Sequence, residues 1–252
     1  PAKEGRLDFV GFLMNEPDDV EPARLLAEEM RSRFPELRVI GFGPLVDQYA
    51  EPLLRHTPVL DALLVGDVEP GLARWGEVIN SPSRWFLVPN LVCRDGGAIR
   101  RTPVVEAELS ELPLPAYGAD VYRSLEPPWD KLKLFEVEES RGGGCSCSGC
   151  TRFRGNRGVR MKPVARISEE IKHLVASGNA RAFHFPSTVG DGAQAGAVAM
   201  VILRQGLDVA YGRADHGAGI SPGLFPLLRS SGCEVMSFQV ETGSQRLLED
   251  FY

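Results

Sequence analysis

The chain has 252 residues, 43% hydrophobic and 25% charged, values near those of soluble globular proteins; this excludes a disordered chain and suits one large domain or two modest ones. A formal net charge of -6 lacks the basic footprint that phosphate backbones demand, so nucleic acid is not the expected partner and a small or peptide-like substrate fits better. No run approaches the roughly 18 apolar residues of a membrane span; the longest, AGAVAMVIL at 195–203, is far too short, so no membrane partner is expected either.

The chain opens at PAKEGRLDFVGF with a strand already forming and no charged-apolar-small leader, which predicts that natural residues precede Pro1. LDFVGFLM (7–14) reads as a strand, VEPARLLAEEMRSRF (20–34) as a helix with apolar positions three and four apart, and LRVIGFG (37–43) as a second strand. A helix near 47–56, a strand LDALLVGD (60–67) and a helix over 69–79 follow. Strands alternating with helices imply an open, parallel α/β sheet with right-handed crossovers. Ligands of such sheets sit at the strand carboxyl ends, here GFGP (41–44) and VGDVEP (65–70).

From 84 to 102, RWFLVPNLVCRDGGAIRRTP predicts a hairpin, because Asp-Gly and Gly-Gly favour a tight turn. ELSELPLPAYGADVYRSLEPPW (108–129) is proline-rich without a sustained period, which predicts an ordered linker. The expected organisation is therefore an α/β domain over 1–83, hairpin and linker over 84–130, and a second domain over 131–252.

In that second part KLFEVEES (133–140), ARAFHFPS (180–187), LDVAYGRAD (207–215) and EVMSFQVET (234–242) read as strands. Between them VARISEEIKHLVASG (164–178), residues 192–205 and SPGLFPLLRSSG (221–232) read as helices, and GSQRLLEDFY starts a last one. Four β/α units in succession suit half or more of a β/α barrel, whose active site lies at the strand carboxyl ends. Those ends carry a cysteine loop, PSTVGDG, GRADH and VETGS.

The cysteine loop, RGGGCSCSGC (141–150), places Cys145, Cys147 and Cys150 within six positions. Five cysteines in all, an odd number, do not make a disulfide framework in a chain this large, and a reducing, cytoplasmic compartment is expected. Cys93 and Cys233 stand alone in apolar surroundings and read as buried small hydrophobes. Three clustered thiols suit zinc or an iron–sulfur cluster. Zinc wants a fourth ligand, and neither His173, within a helical pattern, nor His56, in the other domain, is an obvious one. A cluster on three cysteines leaves one iron open to a substrate or cofactor.

The run VEESRGGGCSCSGCTRFRGNRGVRMKPVARISEEIKHL resembles the radical S-adenosylmethionine (SAM) superfamily, whose signature C-x3-C-x2-C lies in the loop after the first barrel strand. FHFPSTVGDG is similar to the second-strand segment of that family and GCEVMSFQVETGSQRLL to its fourth. Upstream, RVIGFGPLVDQYAEPLLRHTPVLDALLVGDVEPGLARW resembles the second half of the cobalamin-binding domain of one subclass, and LVCRDGGAIRRTP with LSELPLPAY its linker. The resemblance implies a partial Rossmann-like cobalamin-binding domain followed by a partial β/α radical SAM barrel, lacking the first strand and helix of the one and the last units of the other. The first cysteine is displaced: the family spacing falls on Gly143, whereas the third thiol here is Cys145. A C-x-C pair still spans roughly 7 Å between Cα atoms, enough to reach two irons of one cluster.

By this resemblance Cys145, Cys147 and Cys150 hold a four-iron four-sulfur (4Fe-4S) cluster that binds SAM and releases a 5′-deoxyadenosyl radical, with flavodoxin or ferredoxin as the electron donor. The implied outcome is methylation of an unactivated carbon from methylcobalamin, in a small-molecule or peptide natural product. The alternatives are a non-methylating radical SAM oxidoreductase, cyclase or mutase, and a non-catalytic relative that binds zinc or another ligand.

The resemblance places Gly41 and Gly43 against the cobalamin tail, where missing side chains let a bulky cofactor approach; an ordinary strand-to-helix turn explains them equally. Gly66, Asp67 and Glu69 match a GE-x-E element of the family, although Asp67 as a helix N-cap accounts for much of it. Arg213, at the end of the third barrel strand, is suited to pair with the SAM carboxylate, because a guanidinium offers two parallel donors, and a structural pairing with Asp215 explains it equally. Ser187 and Thr188 fall where the family binds the SAM amino group, or cap the next helix. Glu241 matches the acid near the SAM amino group or ribose. His184 and His216 read as core or rim, and the basic run RFRGNRGVR (152–160) as a solvated loop or a shield for cluster charge.

Overall fold

Three parallel strands, each followed by a helix, build the first half of the chain: β1 (Phe9–Leu13), α1 (Val20–Arg33), β2 (Arg38–Phe42), α2 (Pro44–His56), β3 (Ala62–Leu64) and α3 (Val68–Val78). The computed structural model describes residues 7–116, 134–143, 158–178, 180–186, 192–215, 220–238, 240 and 242–251. The helix expected from 47 starts three residues earlier, since Pro44 presets φ for a first helical turn and Gly43 turns the chain into it. The hairpin strands β4 (Leu91–Asp95) and β5 (Ala98–Arg101) continue the same sheet antiparallel, in the order β1-β2-β3-β4-β5. Gly96 and Gly97, both at positive φ, make the two-residue turn that RDGG predicts.

The run expected as the first hairpin arm differs. Pro82–Leu87 forms a 3-10 segment because Trp85 turns inward, where its ring lies 5.0 Å from that of Trp75 and its indole N–H donates to the Ile79 carbonyl. Since β4 pairs with β3, the hairpin belongs to the first sheet, and the chain divides into units Pro1–Ala107 and Glu108–Tyr252.

The second unit holds β6 (Leu134–Glu136), a short antiparallel pair β7 (Ser140–Arg141) and β8 (Arg160–Met161), then α4 (Val164–Gly178), β9 (Ala182–Pro186), α5 (Gly192–Arg204), β10 (Ala210–Asp215), α6 (Phe225–Ser230), β11 (Cys233–Phe238) and α7 (Gln245–Phe251). β6, β9, β10 and β11 are parallel neighbours in chain order, the arrangement of a β/α barrel wall. Alternation sends Phe135, Phe183, Phe185 and Tyr211 into one core with Ile171 and Val198 of α4 and α5. Each such side chain contributes about 1.5–3 kcal/mol by leaving water. The strand expected over 133–140 is interrupted at 137–139, between β6 and β7. The helix expected over 221–232 is shortened to α6, since Pro226 has no N–H to continue the preceding 3-10 turn. No helix among the described residues is long and apolar enough to cross a membrane.

Burial pushes the Tyr211 phenol up to about 12, against the lowering effect of its hydrogen bond with Ser231 at 2.7 Å. A folded value above the unfolded one gives stability that is complete below about pH 10 and lost as pH rises through about 12. Denaturant midpoints measured from about pH 10 to about pH 12 should therefore fall steeply in the native chain. Tyr211→Phe should flatten the slope, and an unchanged slope would contradict this assignment.

Candidate functional site

In the second unit, the segment after β6 and the end of β10 bring together groups on the two legs that flank the cysteine-bearing segment in sequence. The chain leaves β6 through Val137, whose N–H extends the ladder to the His184 carbonyl, and reaches Glu139, Ser140 and Arg141. It returns at Gly158–Met161, where Ser140 pairs with Met161 and Arg141 with Arg160. Above this pair the legs nearly touch. Gly142 sits at φ +89, and a Cβ there would stand 1.9 Å from the Gly158 carbonyl oxygen, so only glycine permits the crossing.

Arg213, near the end of β10, is 2% exposed and donates two parallel hydrogen bonds to Glu139, Nη1 to Oε1 at 3.0 Å and Nη2 to Oε2 at 2.7 Å. The pair bridges over β9, with the guanidinium carbon 5.3 Å from the centre of the Phe185 ring. The carboxylate that occupies the guanidinium fork is thus Glu139 rather than Asp215, which lies buried at the end of the same strand. A second buried pair stands on the returning leg: Lys162 Nζ lies 2.8 Å from Glu170 Oε2 of α4, both side chains almost wholly enclosed. The Lys162 N–H donates to the Glu139 carbonyl at 2.8 Å, and the Lys162 carbonyl accepts from Gln194 Nε2 of α5 at 2.8 Å.

In the first unit, the carboxyl ends of β2 and β3 carry the other candidates. A Cβ on Gly41 would stand 2.7 Å from Leu63 Cδ2, and one on Gly43, at φ +114, would stand 2.6 Å from the Met14 carbonyl oxygen. Packing within the chain therefore requires glycine at position 43, against backbone, and accounts for it at position 41, against the buried Leu63 side chain. Gly66, at φ +71, donates its N–H to Asp47 Oδ1 at 2.6 Å, and Glu69 is half-buried in the first turn of α3. Asp67 precedes α3 but makes no capping hydrogen bond, which corrects the N-cap reading; its Oδ2 accepts from the Ala107 N–H at 2.7 Å.

Asn90, fully buried at φ +63, completes that corner. Its Nδ2 donates to the Asp67 and Val105 carbonyls, and its Oδ1 accepts from the Val105 N–H at 2.5 Å.

Cys145, Cys147, Cys150, Ser187, Thr188, Glu241 and His216 lie outside the described residues. Among the described residues no group of three or more His, Cys, Asp or Glu is placed to hold a metal ion. Cys93 and Cys233 are free and buried, with thiols pushed up by burial, as inert core cysteines should be. His184 Nδ1 lies 3.6 Å from Glu136 Oε1 on the face of the sheet away from the core.

Sequence reasoning missed Glu139, Lys162, Glu170 and Asn90. For Glu139 a signal existed: it shares the buried phase of an alternating run with Phe135 and Val137, while Glu136 is exposed. An acid in an apolar phase calls for a buried partner.

No protein-family model matches the chain. A protein of Pyrococcus horikoshii named as an uncharacterised methyltransferase is 22% identical over 219 residues, covering 84% of this chain and 47% of its own length. The radical S-adenosylmethionine methyltransferase TsrM of Kitasatospora setae, solved with tryptophan substrate and a SAM analogue, superimposes at TM-score 0.77 with 17% identity, over 98% of this chain and 51% of TsrM. A second TsrM structure, with cobalamin and a [4Fe-4S] cluster, gives 0.74 at 16% identity, over 98% of this chain and 51% of that one. OxsB, a cobalamin-dependent S-adenosylmethionine radical enzyme, gives 0.76 at 14% identity, over 97% of this chain and 37% of OxsB. The chain thus shares the mixed α/β fold of these enzymes and spans about half the length, or less, of each.

Proposed function

We propose that this chain is the cobalamin-binding and radical SAM portion of a methyltransferase that acts on an unactivated carbon of a small-molecule or peptide substrate. One observation carries the reading: a fold likeness over nearly the whole chain to TsrM and OxsB coincides with three thiols in the loop that leaves the first of four parallel β/α strands. The donor set fits a cluster, since three thiolates leave one iron of a cubane open, and the loop's legs are pinned by the β7–β8 pair. The space beside Gly43 is filled by the Met14 carbonyl and Leu13, so the cobalamin side of the reading rests on the fold likeness and not on an open cradle at that glycine.

When bound, the cluster and cobalamin supply the electron and the methyl group, while the protein binds, orients and excludes water. Cys145, Cys147 and Cys150 are the proposed cluster ligands. Gly41, Gly43, Gly66 and Glu69 are proposed to line the cobalamin side, and Ser187, Thr188 and Glu241 to meet the amino group and ribose of SAM. Arg213, enclosed and engaged with Glu139, is proposed to act behind those groups rather than on the SAM carboxylate. A flavodoxin or ferredoxin is the proposed electron donor, in the cytoplasm.

Anaerobic reconstitution with iron and sulfide should give a cluster that cleaves SAM under reductant, and the purified chain should retain a corrinoid. One equivalent of zinc with no SAM cleavage would replace this reading with a non-catalytic ligand-binding module. Cys147→Ala should lower iron affinity by more than about 100-fold, since even outer partners of a metal site are worth about 10- to 100-fold. Iron content after chelator challenge, beside SAM cleavage, is the measurement. Iron retained as in the native chain would remove Cys147 from the ligand set.

A further inference from the structure

We propose that the two buried ion pairs, Glu139–Arg213 and Lys162–Glu170, are positioning residues that fix both legs of the cysteine loop in place before any metal is bound. The inference rests on the reading of that loop as a cluster site. Glu139 stands one residue before β7, on the outgoing leg, and Lys162 one residue after β8, on the returning leg. Their backbones are joined directly by the 2.8 Å bond from the Lys162 N–H to the Glu139 carbonyl. From this joint, three ties run outward to separate elements: the Arg213 fork to β10, the Glu170 carboxylate to α4 and the Gln194 amide to α5. A leg held at one point can pivot, whereas legs held to three elements cannot.

Stability alone does not account for the charges. A buried ion pair recovers its desolvation cost only with good geometry, and well-packed apolar residues of similar volume are often as stable or more so. A two-donor fork does supply direction, since the guanidinium and carboxylate planes must align to make both bonds. One such fork and a second buried pair, placed on the two legs of one loop, are therefore best explained by the placement of what the loop carries.

The test separates placement from stability. A double variant, Glu139→Met with Arg213→Met, replaces the fork by apolar packing and should melt close to the native chain. In the iron-free chain, tryptic cleavage at Arg152, Arg154 and Arg157 should accelerate by about tenfold, confined to those sites, because the legs that flank them are held at fewer points. In the reconstituted chain, loss of iron to a chelator should rise by about 10- to 100-fold, as for an outer-shell partner. Native rates in both assays would overturn the proposal, as would cleavage rising equally at sites elsewhere in the chain. Should the double variant not fold, Arg213→Lys, which keeps the charge and loses the fork, is read in the same way. If the native chain takes up no iron, the cluster reading fails by itself, and the tryptic rate alone then upholds or overturns the positioning role.

Discussion

Arg213→Ala should lower the stability of the chain by about 3–5 kcal/mol, among the larger effects a single substitution can have here. The physical reason is asymmetric. With the guanidinium gone, the Glu139 carboxylate, 3% exposed, keeps its burial and loses the two hydrogen bonds of the fork. Urea denaturation followed by far-UV circular dichroism measures the loss. A cost below about 1 kcal/mol would place the pair among solvated surface bridges and remove the basis for its role. The double methionine variant is the companion measurement, because removing both charges should cost far less than removing one.

Asn90→Ala should cost about 3–4 kcal/mol, from two causes that a second variant separates. The amide satisfies the Asp67 carbonyl and both polar groups of Val105, and each buried group left alone costs about 1–3 kcal/mol. The residue also sits at φ +63, where alanine is strained by about 1 kcal/mol more than asparagine or glycine. Asn90→Gly should therefore be the milder change by about that amount. Equal losses for Ala and Gly would mean that the backbone there relaxes, and small losses for both that water satisfies the corner.

Most elements were readable from period and punctuation. Alternation marked β9 and β10, three-and-four spacing marked α1 and α4, and RDGG marked the hairpin turn. What the sequence could not show was which sheet the hairpin joins. Leu91, Val92 and Cys93 are as apolar as any central strand, and only the observed pairing with β3 assigns them. The 3-10 segment at Pro82–Leu87 escaped for a related reason, since Trp85 suits a strand by propensity and turns inward only because Trp75 is there to receive it.

For the candidate site, residue types were easier to read than partners. The thiol cluster, Arg213 and the strand-end glycines stand out by chemistry, whereas Glu139 is one acid among several in FEVEES (135–140) and becomes distinctive only by phase. Val209, Tyr211, Arg213 and Asp215 share the buried phase of β10, as Phe135, Val137 and Glu139 do beside β6. Two charges in apolar phases of strands two places apart in a sheet are a findable pair. Lys162 and Glu170, in contrast, meet across a turn and a helix start, where no simple period links them.

The pinch at Gly142 and Gly158 separates a frame from a cassette. Because the two legs close on each other at these glycines, the sequence between them can change in spacing without altering the sheet on which the legs are mounted. If the proposed cluster reading holds, exchanging Gly143 and Cys145, which makes the spacing C-x3-C-x2-C, should leave melting untouched while changing iron retention after chelator challenge.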